Sequence, residues 1–124
     1  MSEIRPTVLV VDDEALIARL FSIHVESMGL EVCATAATAD EAVIKAEQHR
    51  PDIILMDVRL RGAKDGVDAA RSIRETQDPK IIFITGSTDP ATMARIGSHD
   101  QASVLVKPVA ERQLKAAISQ AVRR

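Results

Sequence analysis

The sequence has little of what several large classes of protein require. Tryptophan and tyrosine are absent and only 2 phenylalanines occur, so the core must be aliphatic and stacked nucleic-acid bases would find no aromatic platform. The single cysteine, Cys33, excludes an internal disulfide and suits a reducing cytoplasm. No apolar run approaches the ~20 residues of a membrane helix. The 16 basic and 18 acidic residues nearly balance, which argues against direct binding to nucleic acid or to a membrane surface.

The remaining composition is that of one ordinary globular domain. Of the 124 residues, 46% are hydrophobic and 27% are charged, and the mean hydropathy is +0.02. These values are typical of a folded chain with a single core. We therefore expect one domain over residues 1–124 without an output domain, located in the cytoplasm.

Short aliphatic runs alternate with segments that have helical spacing. The expected strands are Thr7–Val11, Glu31–Ala36, Asp52–Met56, Lys80–Ile84 and Ser103–Val106. Most of these runs are continuously apolar, which is typical of strands buried on both faces of a parallel sheet. The expected helices are Glu14–Met28, Thr38–His49, Gly66–Thr76, Asp89–Gly97 and Ala110–Arg123. Strict alternation of strand and helix predicts an α/β domain with a parallel sheet.

Local signals predict helix ends and buried faces. Thr38 and Glu41 have the spacing of a capping box, and Asp89 before Pro90 is an N-cap followed by proline. Gly29 is placed to end the first helix. That helix is expected to bury a stripe of Leu16, Leu20, Ile23 and Ser27, widened by Ile17, Phe21 and Val25. The last helix is expected to bury Leu114, Ala117, Ile118, Ala121 and Val122.

Polar residues follow the strands, at the edge where parallel α/β sheets bind ligands. Asp12 and Asp13 follow the first strand, Asp57 the third, Thr85 the fourth and Lys107 the fifth. If the first and third strands are neighbours, three carboxylates converge, and such like charges need a cation among them. Ligands that are all oxygen suit Mg²⁺.

A phosphoryl group fits between such a metal and the lysine. A carboxylate in that position can act as the nucleophile and form an aspartyl phosphate.

Taken singly, each of these polar residues has an ordinary explanation. The Asp-Asp pair could be a solvated turn or helix cap, Thr85 a plain strand-end hydroxyl and Lys107 a solvated charge. The ordered set at successive strand ends is what favours a site.

This ordered set of VLVVDDE, DIILMDVRL, IIFITGS and VLVKP resembles the receiver domain of bacterial two-component response regulators. The resemblance covers the whole chain. It implies a flavodoxin-like (βα)5 fold, with five parallel strands in the order 2-1-3-4-5 and helices on both faces.

The resemblance also implies roles for individual residues. Asp57 would accept the phosphoryl group. Mg²⁺ would be bound by Asp13 and Asp57 directly, by Asp12 through water and by the backbone carbonyl of Arg59. Lys107 would contact a phosphoryl oxygen, and its bond to the following proline would be cis. Thr85 would move towards the phosphoryl group as the switch step.

The implied partners are proteins. A sensor histidine kinase or a histidine phosphotransfer protein would donate the phosphoryl group. An unknown downstream protein would bind the face formed by helix 4, strand 5 and helix 5, and the resemblance admits a homodimer through that face. The chain would promote its own phosphorylation and slow dephosphorylation, and it would act as a switch and not as a turnover enzyme.

Departures from the family pattern leave alternatives open. Val104 stands where an aromatic residue is often found, which favours a phosphorelay intermediate or phosphate sink without a dedicated output partner. The loop after Asp57 is one residue longer than the common version, and its Arg59, Arg61 and Lys64 are either solvated or involved in donor docking or dephosphorylation. A phosphatase with an aspartyl nucleophile would usually need a second acid two residues after the nucleophile. That position is Arg59 here, which argues against this class of enzyme. A dinucleotide enzyme would need G-x-G-x-x-G after the first strand.

Overall fold

The computed structural model describes residues 5–97 and 103–123, and residues 1–4, 98–102 and 124 of the expected domain lie outside this description. The strands are β1 (Thr7–Val11), β2 (Glu31–Ala36), β3 (Ile53–Asp57), β4 (Lys80–Thr85) and β5 (Val104–Val106). The helices are α1 (Ala15–Ser27), α2 (Ala39–His49), α3 (Gly66–Arg74), α4 (Pro90–Ile96) and α5 (Glu111–Arg123). All strand pairs are parallel, in the order β2-β1-β3-β4-β5, which confirms the expected α/β fold and topology.

The aliphatic runs become the central strands because both of their faces are covered by helices. Every residue of β3 is buried, as are the last four residues of β1 and the last five of β4. Alternate residues of β1 belong to two separate hydrophobic clusters of the core. Val8 and Val10 pack with α1 and α5, while Leu9 and Val11 pack with α2 and α3. The sheet is therefore packed between helices on both of its faces.

Helix α1 buries the flank of the expected stripe and not its centre. Ala18, Phe21 and Val25 are buried against the sheet, whereas Leu16 is 84% exposed. Leu20 and Ile23 are exposed as well, so the centre of the expected stripe was wrong, whereas Phe21 and Val25 on its flank are buried as expected. Apolar residues occur around most of this helix, and spacing alone does not distinguish one stripe from its neighbour. In α5 the expected face is buried at Leu114, Ile118 and Ala121, but Val122 is exposed.

Side-chain caps fix where α2 and α3 begin. Thr38 Oγ1 accepts a hydrogen bond from the Glu41 N–H at 3.1 Å, as the sequence indicated. Glu41 itself accepts from the N–H of Ala37, one residue before the expected donor. The closed capping box is at α3, where Asp65 accepts from the N–H of Asp68 and Asp68 accepts from the N–H of Asp65. This second box was not predicted from the sequence.

The ends of α1 and α4 follow the sequence signals. Gly29 has φ +82° directly after the C-cap of α1, a conformation that glycine adopts without strain. Asp89 caps α4 by accepting from the N–H of Thr92 at 2.9 Å, with Pro90 as the first helical residue. Both expectations are confirmed.

Candidate functional site

Three carboxylates meet at the carboxyl edge of β1 and β3. Asp12 and Asp13 follow β1, Asp57 is the last residue of β3, and the two strands are paired. One oxygen from each side chain lies within 4.8 Å of the others. Asp12 and Asp57 are buried, with exposed fractions of 3% and 2%, and Asp13 is partly exposed. The structure thus brings together the acidic residues that the sequence placed at two separate strand ends.

Asp12 has one satisfied and one unsatisfied carboxylate oxygen. Its Oδ1 accepts from the Glu14 N–H at 2.9 Å, which shapes the turn into α1. Its buried Oδ2 has no hydrogen-bond partner among the described residues, and the nearest cation is Lys107 Nζ at 3.8 Å. Burial raises the pKa of Asp12, against the Glu14 hydrogen bond, which lowers it. A buried acceptor of this kind within a carboxylate cluster fits the all-oxygen coordination that Mg²⁺ requires.

Lys107 supplies the positive charge on the other side of Asp57. Its backbone N–H donates to the Thr85 carbonyl at 2.8 Å, which fixes the residue at the end of β5. Its Nζ donates to Asp57 Oδ2 at 3.0 Å. The Lys107–Pro108 peptide bond is cis, as the family resemblance implied. The fifth strand therefore delivers a cation directly to the carboxylate at the end of the third.

In both Asp57 and Lys107, burial and the hydrogen bond between them shift the pKa in opposite directions. Burial raises the pKa of Asp57 to about 6, although the Lys107 hydrogen bond acts to lower it. For Lys107, burial acts to lower the pKa, but the hydrogen bond to Asp57 and the nearby negative charges of Asp57, Asp12 and Glu14 together outweigh it, and the net shift is upward. At neutral pH both groups are charged, so Asp57 is an ionised carboxylate in a sheltered position.

Thr85 is the last residue of β4, and its side chain is bonded to its own loop. Oγ1 donates to the Ser87 carbonyl at 2.9 Å and accepts from the Ser87 N–H at 3.2 Å. A cavity of about 400 Å³ lies between Asp57, Lys107, Thr85 and the loop, and Gly86 lines it. Gly86 is exposed, and a Cβ on it would meet no heavy atom within 4 Å.

The segment after β3 packs closely behind Asp57. The backbone N–H of Arg59 acts to lower the pKa of the Asp57 carboxyl, while the arginine side chain is exposed. The N–H of Gly66 donates to the Val58 carbonyl at 2.7 Å. A Cβ on Gly66 would lie 2.1 Å from the Asp57 backbone oxygen, so only glycine fits there. Gly66 was not predicted as part of the site from the sequence.

The basic residues of this loop occupy separate positions. Arg61 Nε is 3.7 Å from Asp13 Oδ2, although the arginine side chain is 80% exposed. Lys64 Nζ is 3.8 Å from Asp40 on α2, away from the carboxylate cluster. The expected basic cluster is therefore dispersed, and of its three side chains Arg61 is the one with an ion pair to the acidic site.

The comparisons with known proteins agree with this arrangement. The response regulator receiver domain family matches residues 8–119, and the chain belongs to this family. The transcriptional regulatory protein PdtaR of Mycobacterium tuberculosis is 34% identical over 117 residues, which cover 94% of this chain and 57% of that protein. The phyllosphere-induced regulator PhyR of Methylorubrum extorquens is 34% identical over 116 residues, which cover 93% of this chain and 43% of that protein. The chain spans about half the length of these curated relatives.

Solved structures extend the likeness to the whole fold. The signal receiver domain of a modulated diguanylate cyclase from Desulfovibrio desulfuricans has 38% identity and a TM-score of 0.86, over 97% of this chain and 95% of that one. The receiver domain of PhyR from Erythrobacter litoralis has 29% identity and a TM-score of 0.86, over 96% and 91% of the two chains. The flavodoxin-like fold is confirmed. The chain contains a two-component receiver domain over residues 8–119, which supports a role in phosphorelay signalling.

None of the helices within residues 5–97 and 103–123 combines the length and the apolar character that crossing a bilayer requires.

Proposed function

We propose that this chain accepts a phosphoryl group on Asp57 in a Mg²⁺-dependent reaction and thereby switches a protein-binding surface. The observation that carries the proposal is the 3.0 Å contact between Lys107 Nζ and Asp57 Oδ2, made beside two further carboxylates. This arrangement presents an ionised nucleophile between a fixed cation and a fitting metal site. An aspartyl phosphate needs those parts and no further covalent chemistry from the protein.

In the proposed reaction an Asp57 oxygen attacks the phosphorus of a phosphohistidine in line with the leaving imidazole nitrogen. The new oxygen–phosphorus bond forms as the phosphorus–nitrogen bond breaks, and the imidazole leaves with its electron pair and takes up a proton. Mg²⁺ bound by Asp12, Asp13, Asp57 and the Arg59 carbonyl would neutralise charge on the phosphoryl oxygens. Lys107, whose Nζ lies 3.0 Å from Asp57 Oδ2, would bind one of those oxygens.

The proposed switch starts at Thr85. A hydroxyl has a single proton to donate, and Thr85 now donates it to the Ser87 carbonyl. Binding a phosphoryl oxygen would break that bond and move the loop that leads into α4. The surface formed by α4, β5 and α5 is therefore the proposed binding site for a downstream protein or a second copy of the chain. The chain would also promote its own slow dephosphorylation and would not act as a turnover enzyme.

The exposed face of α1 is the proposed docking site for the phosphodonor, a sensor histidine kinase or a histidine phosphotransfer protein. Leu16, Leu20 and Ile23 are exposed there, and such contiguous apolar surface is typical of an interaction site. A groove of about 690 Å³ runs between α1 and β2 and reaches Asp12 and Asp13. A donor seated on this face would have its phosphohistidine beside the acidic site.

A phosphorelay intermediate or phosphate sink is the second candidate, and Val104 favours it. Val104 lies on β5 opposite Phe83 and packs against the core. An aliphatic side chain there gives the Thr85 movement no aromatic ring to reorient at the surface. The expected cytoplasmic location stays a prediction.

The experiment is intact-protein mass spectrometry after incubation with acetyl phosphate, with and without Mg²⁺. We expect the wild type to gain one phosphoryl group only with Mg²⁺, and Asp57→Asn to gain none. The matched control is Asp52→Asn, because Asp52 precedes β3 at the opposite edge of the sheet. Asp52→Asn should be phosphorylated like the wild type. An acid-labile phosphoryl group on Asp57→Asn would place the acceptor elsewhere.

Rapid hydrolysis could hide the product, so a second measurement uses beryllofluoride as a stable mimic of the phosphoryl group. Fluorine NMR should show a bound species that requires Mg²⁺ and Asp57. A wild type that neither gains mass nor binds beryllofluoride would contradict the proposed function.

A further inference from the structure

Helix α4 is tied to the start of α3 by one arginine that bridges two carboxylates. Arg95 Nη1 bonds Asp65 Oδ2, and Nη2 lies 3.1 Å from Asp65 Oδ1 and 3.2 Å from Asp68 Oδ1. Arg71 on α3 adds a longer hydrogen bond to the Arg95 carbonyl at 3.4 Å. A planar guanidinium that engages two carboxylates is more directional than a typical surface ion pair. The relative position of α3 and α4 is therefore held by these charged contacts.

The same carboxylates cap α3. Asp65 Oδ1 accepts from the N–H of Val67 and of Asp68, both at 3.0 Å, and Asp68 Oδ2 accepts from the Asp65 N–H. Burial acts to raise the pKa of Asp65, but the hydrogen bonds from Arg95 and the helix N–H outweigh it and hold the pKa below its usual value. Asp65 is thus ionised at neutral pH, and its carboxylate accepts hydrogen bonds both from the first turn of α3 and from Arg95.

One end of this network lies directly behind the phosphoacceptor. Gly66 follows Asp65 and packs so closely on Asp57 that an added Cβ would come within 2.1 Å of the Asp57 backbone oxygen. The N–H of Gly66 also donates to the Val58 carbonyl. The turn at Asp65 and Gly66 therefore cannot shift without disturbing the end of β3.

The other end of the network lies on the helix that follows Thr85. Ser87 bonds the Thr85 hydroxyl with its carbonyl and bonds Asp89 with its own hydroxyl at 3.0 Å. Asp89 in turn caps α4 through the N–H of Thr92. The Thr85 hydroxyl, the loop and α4 are thus joined by consecutive hydrogen bonds. Arg95, near the end of that helix, connects this unit to the turn behind Asp57.

We propose that Arg95 is a positioning residue that holds α4 where Thr85 stays bonded to Ser87, and so sets how readily Asp57 takes a phosphoryl group. The inference rests on the proposed function, since it assumes that Thr85 binds the phosphoryl group. For that, the hydroxyl must leave Ser87 and the loop must move. The bonds from Arg95 to Asp65 and Asp68 oppose any movement of α4 that accompanies it. Removing them favours the phosphoryl-bound arrangement.

The test measures the affinity for beryllofluoride in saturating Mg²⁺. We expect Arg95→Ala to bind about three- to tenfold more tightly than the wild type, because charge-assisted bonds that restrain α4 are lost. Arg95→Lys should fall between them, since an ammonium keeps the charge but does not span two carboxylates. Asp68→Asn should shift the affinity in the same direction by less, because the two bonds from Arg95 to Asp65 remain. The asparagine oxygen can still accept from the Asp65 N–H, so the cap of α3 is kept. The control, Arg112→Ala, removes an exposed arginine of α5 and should leave the affinity unchanged.

Thermal unfolding of the same variants separates positioning from a structural role. A purely structural ion pair would lower the melting temperature of Arg95→Ala and leave the beryllofluoride affinity at the wild-type value, which would overturn the inference. Should Arg95→Ala fail to fold, unchanged affinities in both Arg95→Lys and Asp68→Asn would overturn it. A wild type that does not bind beryllofluoride would instead overturn the proposed function.

Discussion

Lys107 Nζ lies 3.0 Å from Asp57 Oδ2, so the lysine contacts the carboxylate before any phosphoryl group is present. We expect Lys107→Ala to keep Mg²⁺ binding, because the lysine is not a ligand and its removal takes a positive charge away from the metal site. Beryllofluoride affinity should fall at least tenfold, since a charge-assisted hydrogen bond to a phosphoryl oxygen is worth about 1.5–3 kcal/mol. Isothermal titration calorimetry measures both affinities.

Lys115→Ala is the matched control for that variant, because Lys115 pairs with Glu111 on α5 and not with the acidic site. It should leave both affinities as they are in the wild type. Loss of Mg²⁺ binding in Lys107→Ala would contradict the role assigned to the lysine.

The raised pKa of Asp57 predicts how the metal-free protein loses stability with pH. Between the unfolded value of 3.8 and the folded value of about 6, the folded state holds a proton that the unfolded chain has released. The free energy of unfolding therefore falls as pH rises through this window, by about 2–3 kcal/mol, and levels off above it. Asp57→Asn has no such group. Urea unfolding at several pH values in Mg²⁺-free buffer measures the difference between the two proteins.

The comparison with Asp57→Asn isolates this one group. Asp12, whose pKa is also raised, is present in both proteins, and so are the groups with lowered pKa values such as Asp65. A wild-type minus variant difference that stays constant across the window would show that Asp57 titrates normally. Saturating Mg²⁺ at neutral pH should restore the lost stability, because the metal binds the ionised carboxylates of the folded state.

The close contact at Gly66 predicts an unusual response to alanine. Glycine to alanine in a helix normally stabilises by about 1 kcal/mol. At Gly66, the first residue of α3, the Cβ would lie 2.1 Å from the Asp57 oxygen and 2.9 Å from Met56 Cγ. We expect Gly66→Ala to lower the free energy of unfolding by about 3 kcal/mol. Gly86→Ala, where a Cβ meets nothing within 4 Å, should change it by less than about 1 kcal/mol. Urea titrations that gave the two variants equal stability would refute the contact.

Much of the fold follows from strong local patterns. The central strands are continuous aliphatic runs, and the α2 and α4 caps at Thr38 and Asp89 follow short-range rules that the structure satisfies. The sequence placed Asp57 and Thr85 directly after the third and fourth strands. In the structure they are the last residues of β3 and β4. The sheet order came from the family resemblance, because the chain's own patterns do not say which strands are neighbours.

What the sequence left undetermined depends on contacts between distant segments. Asp65 and Arg95 are 30 residues apart, and no periodicity links them. The need for glycine at position 66 arises only once α3 is packed against the end of β3. Local chemistry identified the site residues one by one, whereas the network that surrounds them required the assembled fold.

The buried face of α1 is the clearest example of a feature that the sequence did not determine, and it can be tested directly. Had the expected stripe been buried, Leu16→Ala would cost about 2–5 kcal/mol, as truncations of buried leucine do. With Leu16 84% exposed, we expect a change within about 0.5 kcal/mol. Phe21→Ala should cost about 3–5 kcal/mol, because Phe21, on the flank of the expected stripe, is buried. Urea unfolding of both variants, beside Leu114→Ala as a buried leucine control, measures this. A large loss in Leu16→Ala would mean that α1 is rotated about its axis, and the docking face proposed for the phosphodonor would then be core.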